Sequence, residues 1–307
     1  MKRGVLYALA AYLLWGVIPV YFKAVQTVAP TEVLAHRVLW SLALVALLLA
    51  ILRYQSWTAA LAKPAVLKTF VVSALLVSLN WLIYIWSVQT GHVVDASLGY
   101  FINPLVNVLI GAVVFKERLR RIQWTAVALA ATGVAWLTWQ AGQPPWIGLS
   151  LALTFSLYGL LRKTAALGAL QGLAVETALL APLALAWLGW LAANDASAFV
   201  SGITSSAETS PWTPALLLMA GPVTAVPLLL FAAAARRIPF STLGLLQYTG
   251  PTLQLLLGVW LYGEPFGQGK AIGYALIWAA LAVFSAELLL WSSRNRRDNT
   301  SKSVTGA

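Results

Sequence analysis

Apolar residues in this chain fall in blocks of roughly twenty, separated by short polar stretches, and blocks of that length suit helices that cross a hydrocarbon core about 30 Å thick. Ten segments meet the criterion, at about 4–22, 33–52, 69–88, 94–115, 122–140, 146–162, 172–192, 213–234, 240–262 and 270–291. A lipid-embedded backbone must satisfy its own hydrogen bonds, so the pattern predicts an all-α polytopic membrane protein. The first block continues past the length of a signal-peptide core and reads as an uncleaved first span. The longest polar linker is Asn194 to Trp212.

Lysine and arginine then set the orientation. With the N-terminus inside, seventeen of the twenty basic residues lie on the cytoplasmic side, Lys23 and Lys270 lie outside, and Arg37 falls within a span. The expected topology has both termini cytoplasmic. The net charge of +11 is therefore read as an orientation signal rather than a nucleic-acid footprint, since the basic residues cluster between apolar runs. Composition agrees: 60% hydrophobic and 9% charged residues, with a mean hydropathy of +0.81. The chain has no cysteine, which excludes thiolate chemistry and Cys-ligated metals.

The two halves repeat. Pro104, Asn107, Gly111 and Glu117 match Pro251, Gln254, Gly258 and Glu264 at a constant offset; Ser97–Gly99 matches Thr242–Gly244, Trp15-Gly16 matches Tyr158-Gly159, and Glu32 matches Glu176. Five spans per copy is an odd number, so the copies enter the bilayer from opposite sides and the expected fold is two inverted five-helix repeats. The boundaries expected are 1–143 for the first repeat, 144–293 for the second and 294–307 for a basic, solvated cytoplasmic tail. The loop after span 4 reads KERLRR, whereas its mate GEPFGQ carries no basic residue, as inversion requires.

Several strings carry a resemblance: HRVLWS at His36–Ser41, SLGYFINPLVN at Ser97–Asn107, LYGLLRK at Leu157–Lys163 and LGLLQYTGPT at Leu243–Thr252. On these, the chain resembles the EamA branch of the drug/metabolite transporter superfamily, and within it the RarD-like members, over nearly its whole length. The resemblance implies a ten-helix carrier of the bacterial inner membrane that moves small organic solutes, which can include metabolites, amino-acid-like or amphipathic compounds and drugs such as chloramphenicol.

Residues at mid-depth are the candidates for chemistry. Prolines 104 and 251 free a backbone carbonyl each and read as matched helix hinges, or as fixed kinks packed on neighbours. Asn80, Asn103, Asn107, Gln247 and Tyr248 can bind a polar solute or serve as interhelical glue. Trp81 and Tyr84, with Trp15 and Tyr158, lie deeper than the tryptophans near span ends, such as Trp57, Trp124, Trp139, Trp146, Trp212 and Trp291, and can line a pocket or simply pack. Arg37 is the one basic residue inside a span; it reads as a site for an anionic group, as half of a structural ion pair with a glutamate, or as a side chain snorkelling to the interface. Glu32, His36 and Glu176 are candidates for gating or proton coupling, the glutamates equally for helix-end pairing. Asp95 reads as a helix-start acid.

The leading function is secondary transport by alternating access, with export in exchange for protons. No HExxH, GxSxG or nucleotide-binding loop occurs, so neither an enzyme, a primary pump nor a cofactor is expected. A receptor or assembly scaffold is the alternative. The partners expected are a small-molecule substrate, protons and the lipid bilayer; a homodimer is compatible with the sequence.

Overall fold

A computed structural model describes residues 2–52, 63–114, 116, 120–203, 210–235, 237 and 246–305. It is all-helical among the described residues. In chain order the helices are α1 (Lys2–Ala24), α2 (Pro30–Ile51), α3 (Pro64–Gln89), α4 (Val93–Val114), α5 (Arg121–Ala141), α6 (Trp146–Thr164), α7 (Ala169–Ala193), α8 (Ala198–Ile203), α9 (Thr213–Ala235), α10 (Thr249–Leu256) and α11 (Gln268–Thr305). Six of them, α1 to α4, α7 and α9, contain stretches long and apolar enough to cross a membrane, and α6 and α11 contain shorter apolar segments.

Local chemistry marks the ends. Pro30 and Pro64 sit in the first turns of α2 and α3, where a missing N–H costs nothing. Gly142 closes α5 at φ +70° and Gly91 takes φ +82° in the turn between α3 and α4, conformations that a side chain disfavours. Arg120 N–H donates to the Gln123 side chain at the start of α5.

Three features depart from the sequence expectation. The polar linker contains a short helix, α8, whose six residues are too few to give a periodic signal. Span 9 is not one helix over its described part: α10 runs only from Thr249 and continues into a π-helical stretch, Leu257–Leu261. Pro251 therefore lies in the first turn of α10, whereas α4 passes through Pro104 uninterrupted. Finally, α11 stays helical to Thr305, well past the expected end of span 10 at about residue 291. Trp57, Glu117 and residues 240–245 lie outside the described residues.

Packing is organised around a few helix pairs. α5 lies along α11, α2 is flanked by α7 and α9, α4 packs on α6, α3 on α6, and α1 on α9 and α10. Glycine permits the tightest approaches: a Cβ on Gly99 of α4 would sit 2.7 Å from the Gly148 carbonyl oxygen of α6. Outward faces carry exposed apolar side chains such as Leu6, Leu47, Val113, Leu183 and Trp260, and Trp124, Trp139, Trp146 and Trp212 near helix ends are exposed too, as a lipid-facing surface with an interfacial belt requires.

Polar contacts tie the helix ends. Asp95, in the first turn of α4, meets His92 at 3.2 Å and Lys270 of α11 at 3.0 Å. The Glu264 carboxylate accepts the Val93 and Val94 N–H groups at 2.7 and 2.8 Å, placing negative charge at the positive end of α4. Arg120 pairs with Glu287 across α5 and α11.

Candidate functional site

The α2 helix begins at Pro30, three residues earlier than the hydropathy pattern suggests, so Arg37 lies about 10 Å along it. Its side chain is held from both halves of the chain. Nε donates to Thr224 Oγ1 of α9 at 2.6 Å, and Thr224 in turn donates to the Ala220 carbonyl at 2.8 Å. The guanidinium stacks over Trp81 of α3, 4.1 Å from the ring centroid, with Phe22 of α1 at 5.7 Å. The hydroxyls of Tyr21, Tyr84 and Tyr100 complete its electrostatic surroundings. Arg37 is only 6% exposed, yet among the described residues no carboxylate pairs with it. A cation at depth in a membrane helix costs about 3 kcal/mol on insertion scales, and the aromatic faces offset part of that through cation–π attraction. Of the sequence readings for Arg37, the structural ion pair is thus not what the described residues provide.

Glu32, one turn earlier on α2, faces elsewhere. Its carboxylate accepts Ser197 Oγ at 3.0 Å and the Ala198 and Phe199 N–H groups at 3.2 Å each. It fastens the start of α8. His36 lies beside it, with Nε2 3.9 Å from Oε1, its ring against Phe199 and its Nδ1 accepting from Trp40 Nε1 at 3.2 Å. Glu176 on α7 accepts from Ser73 Oγ of α3 and Tyr158 OH of α6, with Arg162 Nη1 3.7 Å away. Both glutamates are sealed from solvent.

The amides hold walls together. Asn80 Nδ2 donates to Leu151 O and Thr154 Oγ1 of α6 at 3.0 and 2.9 Å. Asn103 Nδ2 donates to Ser156 Oγ at 2.8 Å and Ala152 O at 3.3 Å, also on α6. Asn107 is exposed and donates to Asn103 Oδ1 at 3.2 Å. In the second half, Gln254 Nε2 donates to the Trp15 carbonyl at 2.9 Å, while Gln247 and Tyr248 are half-buried beside α10. The structure thus brings Arg37, Trp81 and Tyr84 together, sets Asn80 one residue from Trp81 on the same helix, and places Asn103 and Asn107 on α4 with their amides turned to α6 and to each other. Trp81 and Tyr84 are buried, and the Tyr84 hydroxyl has no hydrogen-bond partner.

Thr224, Tyr21 and Tyr100 were not singled out by sequence. A signal existed for the first: the offset that carries Glu32 to Glu176 also carries Asn80 to Thr224. The two phenols offered none, because tyrosine in an apolar run reads equally as packing.

Comparison with known proteins decides the family. Residues 2–139 match the EamA-like transporter family, and the RarD protein of Escherichia coli K12 is 45% identical over 298 residues, 96% of this chain and 98% of that one. The chain belongs to the EamA-like transporter family. Among the family's curated members it is also similar to an uncharacterized transporter of Vibrio cholerae, 46% identical over 96% of each chain, and to a chloramphenicol-sensitive RarD protein of Pseudomonas aeruginosa, 35% identical over 95% of this chain and 97% of the relative. A solved crystal structure covering 92% of this chain and 96% of its own, at 19% identity, aligns with a TM-score of 0.54; that likeness concerns the fold alone. EamA-like membership makes this a multi-pass protein of a bacterial membrane transporter family, several of whose relatives are named as transporters.

Proposed function

We propose that this protein is a secondary carrier of the bacterial inner membrane, with both termini cytoplasmic, that exports small organic solutes by alternating access coupled to protons. The observation that carries the reading is Arg37: a buried guanidinium, lacking a carboxylate among the described residues and held between α2 and α9, one helix from each half of the chain. A charge kept at that depth without a fixed counterion is the arrangement expected of a solute site rather than of a packing device. Trp81, Tyr84 and the amides of Asn80, Asn103, Asn107 and Gln247 with the Tyr248 ring form the surroundings through which solute would pass.

The ten-helix inverted repeat is part of the same proposal, and the packing supports it. Pairing the first five long helices in order with α6, α7, α9, α10 and α11, the contact of α1 with α9 has its mate in α6 with α3. Likewise α4 with α6 has its mate in α10 with α1, and α2 with α7 and α5 with α11 are self-paired. A twofold relation generates that set of contacts, and in such carriers the site lies where the repeats meet. Glu32 with His36 at one end, and Glu176 at the other, would act as gates or proton carriers, with Pro104 and Pro251 as hinges of unequal placement. A homodimer is compatible with this scheme and not required by it.

Reconstitution tests it. In proteoliposomes an imposed pH gradient should drive movement of at least one amphipathic metabolite from a broad panel, and Arg37→Ala and Asn103→Ala should each reduce that flux about tenfold or more while the protein still inserts and purifies as a folded species. Flux indifferent to pH across the panel removes proton coupling; normal flux in both variants removes the site; no flux at all returns the receptor or scaffold reading.

A further inference from the structure

Among the described residues, one positive charge and no paired carboxylate define the ground around Arg37, and the geometry says what can complete it. Stacking on Trp81 occupies a face of the guanidinium, and Thr224 takes Nε. The two Nη groups are hydrogen-bonded to no described residue, and they are not among the atoms sealed without a partner, so each keeps some accessible surface. A guanidinium edge with both Nη groups free matches the two oxygens of a carboxylate in plane. Tyr84 supplies a third donor, a buried hydroxyl with no partner, and its ring meets Tyr100 edge-on at 5.6 Å between centroids.

We infer that the solute held at Arg37 is a monocarboxylate with an apolar, preferentially aromatic body and no ammonium group beside its carboxylate. This rests on the reading of the Arg37 surroundings as a solute site. A single cation neutralises a single negative charge; a phosphate dianion or a dicarboxylate would leave one uncompensated in a low-dielectric interior. An α-ammonium would need its own anion. Among the described residues each buried carboxylate is already engaged: Glu32 by the start of α8, Glu176 by Ser73, Tyr158 and Arg162, Glu264 by the first amides of α4 and Glu287 by Arg120. The aromatic faces of Trp81 and Phe22, which could otherwise hold an ammonium, hold the guanidinium. Beside it the rings of Tyr84, which also meets Phe22, and of Tyr100, which also meets Phe155, offer aromatic surroundings that suit a flat apolar body.

The experiment is isothermal titration of the purified full-length protein with phenylacetate, phenylacetamide, phenylalanine and phenyl phosphate. Phenylacetate is expected to bind. The neutral amide, the zwitterion and the phosphate should each bind about tenfold or more weakly, the scale of one lost charge-assisted contact. Arg37→Gln should erase the preference for acid over amide, and Arg37→Lys should restore it only in part, because an ammonium cannot form the two-pronged contact. The comparison of ligands on the unaltered protein stands even if a variant fails to fold. Equal binding of acid and amide, tighter binding of phenylalanine, or no binding of phenylacetate at millimolar concentration overturns the inference. Transport of a neutral or cationic solute that ignores Arg37→Gln would overturn it and leave the carrier reading intact. Arg37-dependent binding of phenylacetate with no solute transported would do the reverse.

Discussion

Glu32 and Glu176, matched by the offset between the two halves of the sequence, are both almost fully buried, and they are held by unlike partners. Glu32 meets two backbone N–H groups and a serine at the start of a six-residue helix, with a histidine at 3.9 Å as its nearest basic group. Glu176 meets two hydroxyls and the Arg162 guanidinium, all from long helices. The first carboxylate therefore fastens a short connecting segment to the end of α2. The second ties α7 to α3 and α6 in the body of the bundle. The two acids thus share a sequence offset but not their partners, and the energetic weight of the two should differ accordingly.

The largest effect should come from removing the cation of the second site. Arg162→Ala leaves Glu176 buried with only Ser73 and Tyr158 to serve it, and breaking one side of a buried pair costs about 3 kcal/mol. A denaturant or thermal unfolding series in detergent should show that loss, and Arg162→Ala combined with Glu176→Gln should recover much of it, because the uncompensated charge is gone. Additive losses in the double variant would mean that the 3.7 Å pair carries no coupling.

A smaller and more diagnostic effect is expected at Gly172. Arg162 lies directly over this glycine of α7: a Cβ there would fall 1.6 Å from Nη1 and 2.3 Å from Cζ. Alanine favours a helix interior over glycine by about 1 kcal/mol, so Gly172→Ala should stabilise if helix propensity is all that matters. Displacement of the guanidinium from Glu176 predicts the opposite sign, a net loss of about 1–2 kcal/mol. Because the crowded atoms end a flexible side chain, the loss should stay below that of Arg162→Ala.

How much of this the sequence disclosed follows from the physics of each feature. Long apolar runs and basic loops fix helices and their order, since lipid leaves the backbone no alternative, and α1 to α7 and α9 begin and end within a few residues of the expected positions. The break in span 9 was not legible: Pro251 and Pro104 look alike in sequence, but one starts a helix and the other lies within one. Arg37 was visible as a lone charge in an apolar run; its lack of a carboxylate was not, because Glu32 one turn away offers the obvious partner and is taken by α8, an element without a periodic signature. Asn80 and Asn103 were visible as polar groups at depth, and only their geometry shows both turned to α6.

The smallest effect belongs to Glu32, and it should be local. Glu32→Ala removes the acceptor for Ser197 Oγ and for the Ala198 and Phe199 N–H groups; Ser197 Oγ still accepts Val200 N–H at 3.3 Å, so α8 keeps part of its cap. Loss of a capping acceptor costs about 1 kcal/mol, and α8 makes contacts chiefly with α9, so the change should appear as faster hydrogen exchange over residues 197–203 with global unfolding almost unaltered. Glu32→Gln keeps one acceptor oxygen and should lie between alanine and the unaltered protein. If Glu32→Ala instead lowers global stability as much as Arg162→Ala, the two acids are equivalent struts of the bundle, and the contrast between a fastened segment and a tied core fails.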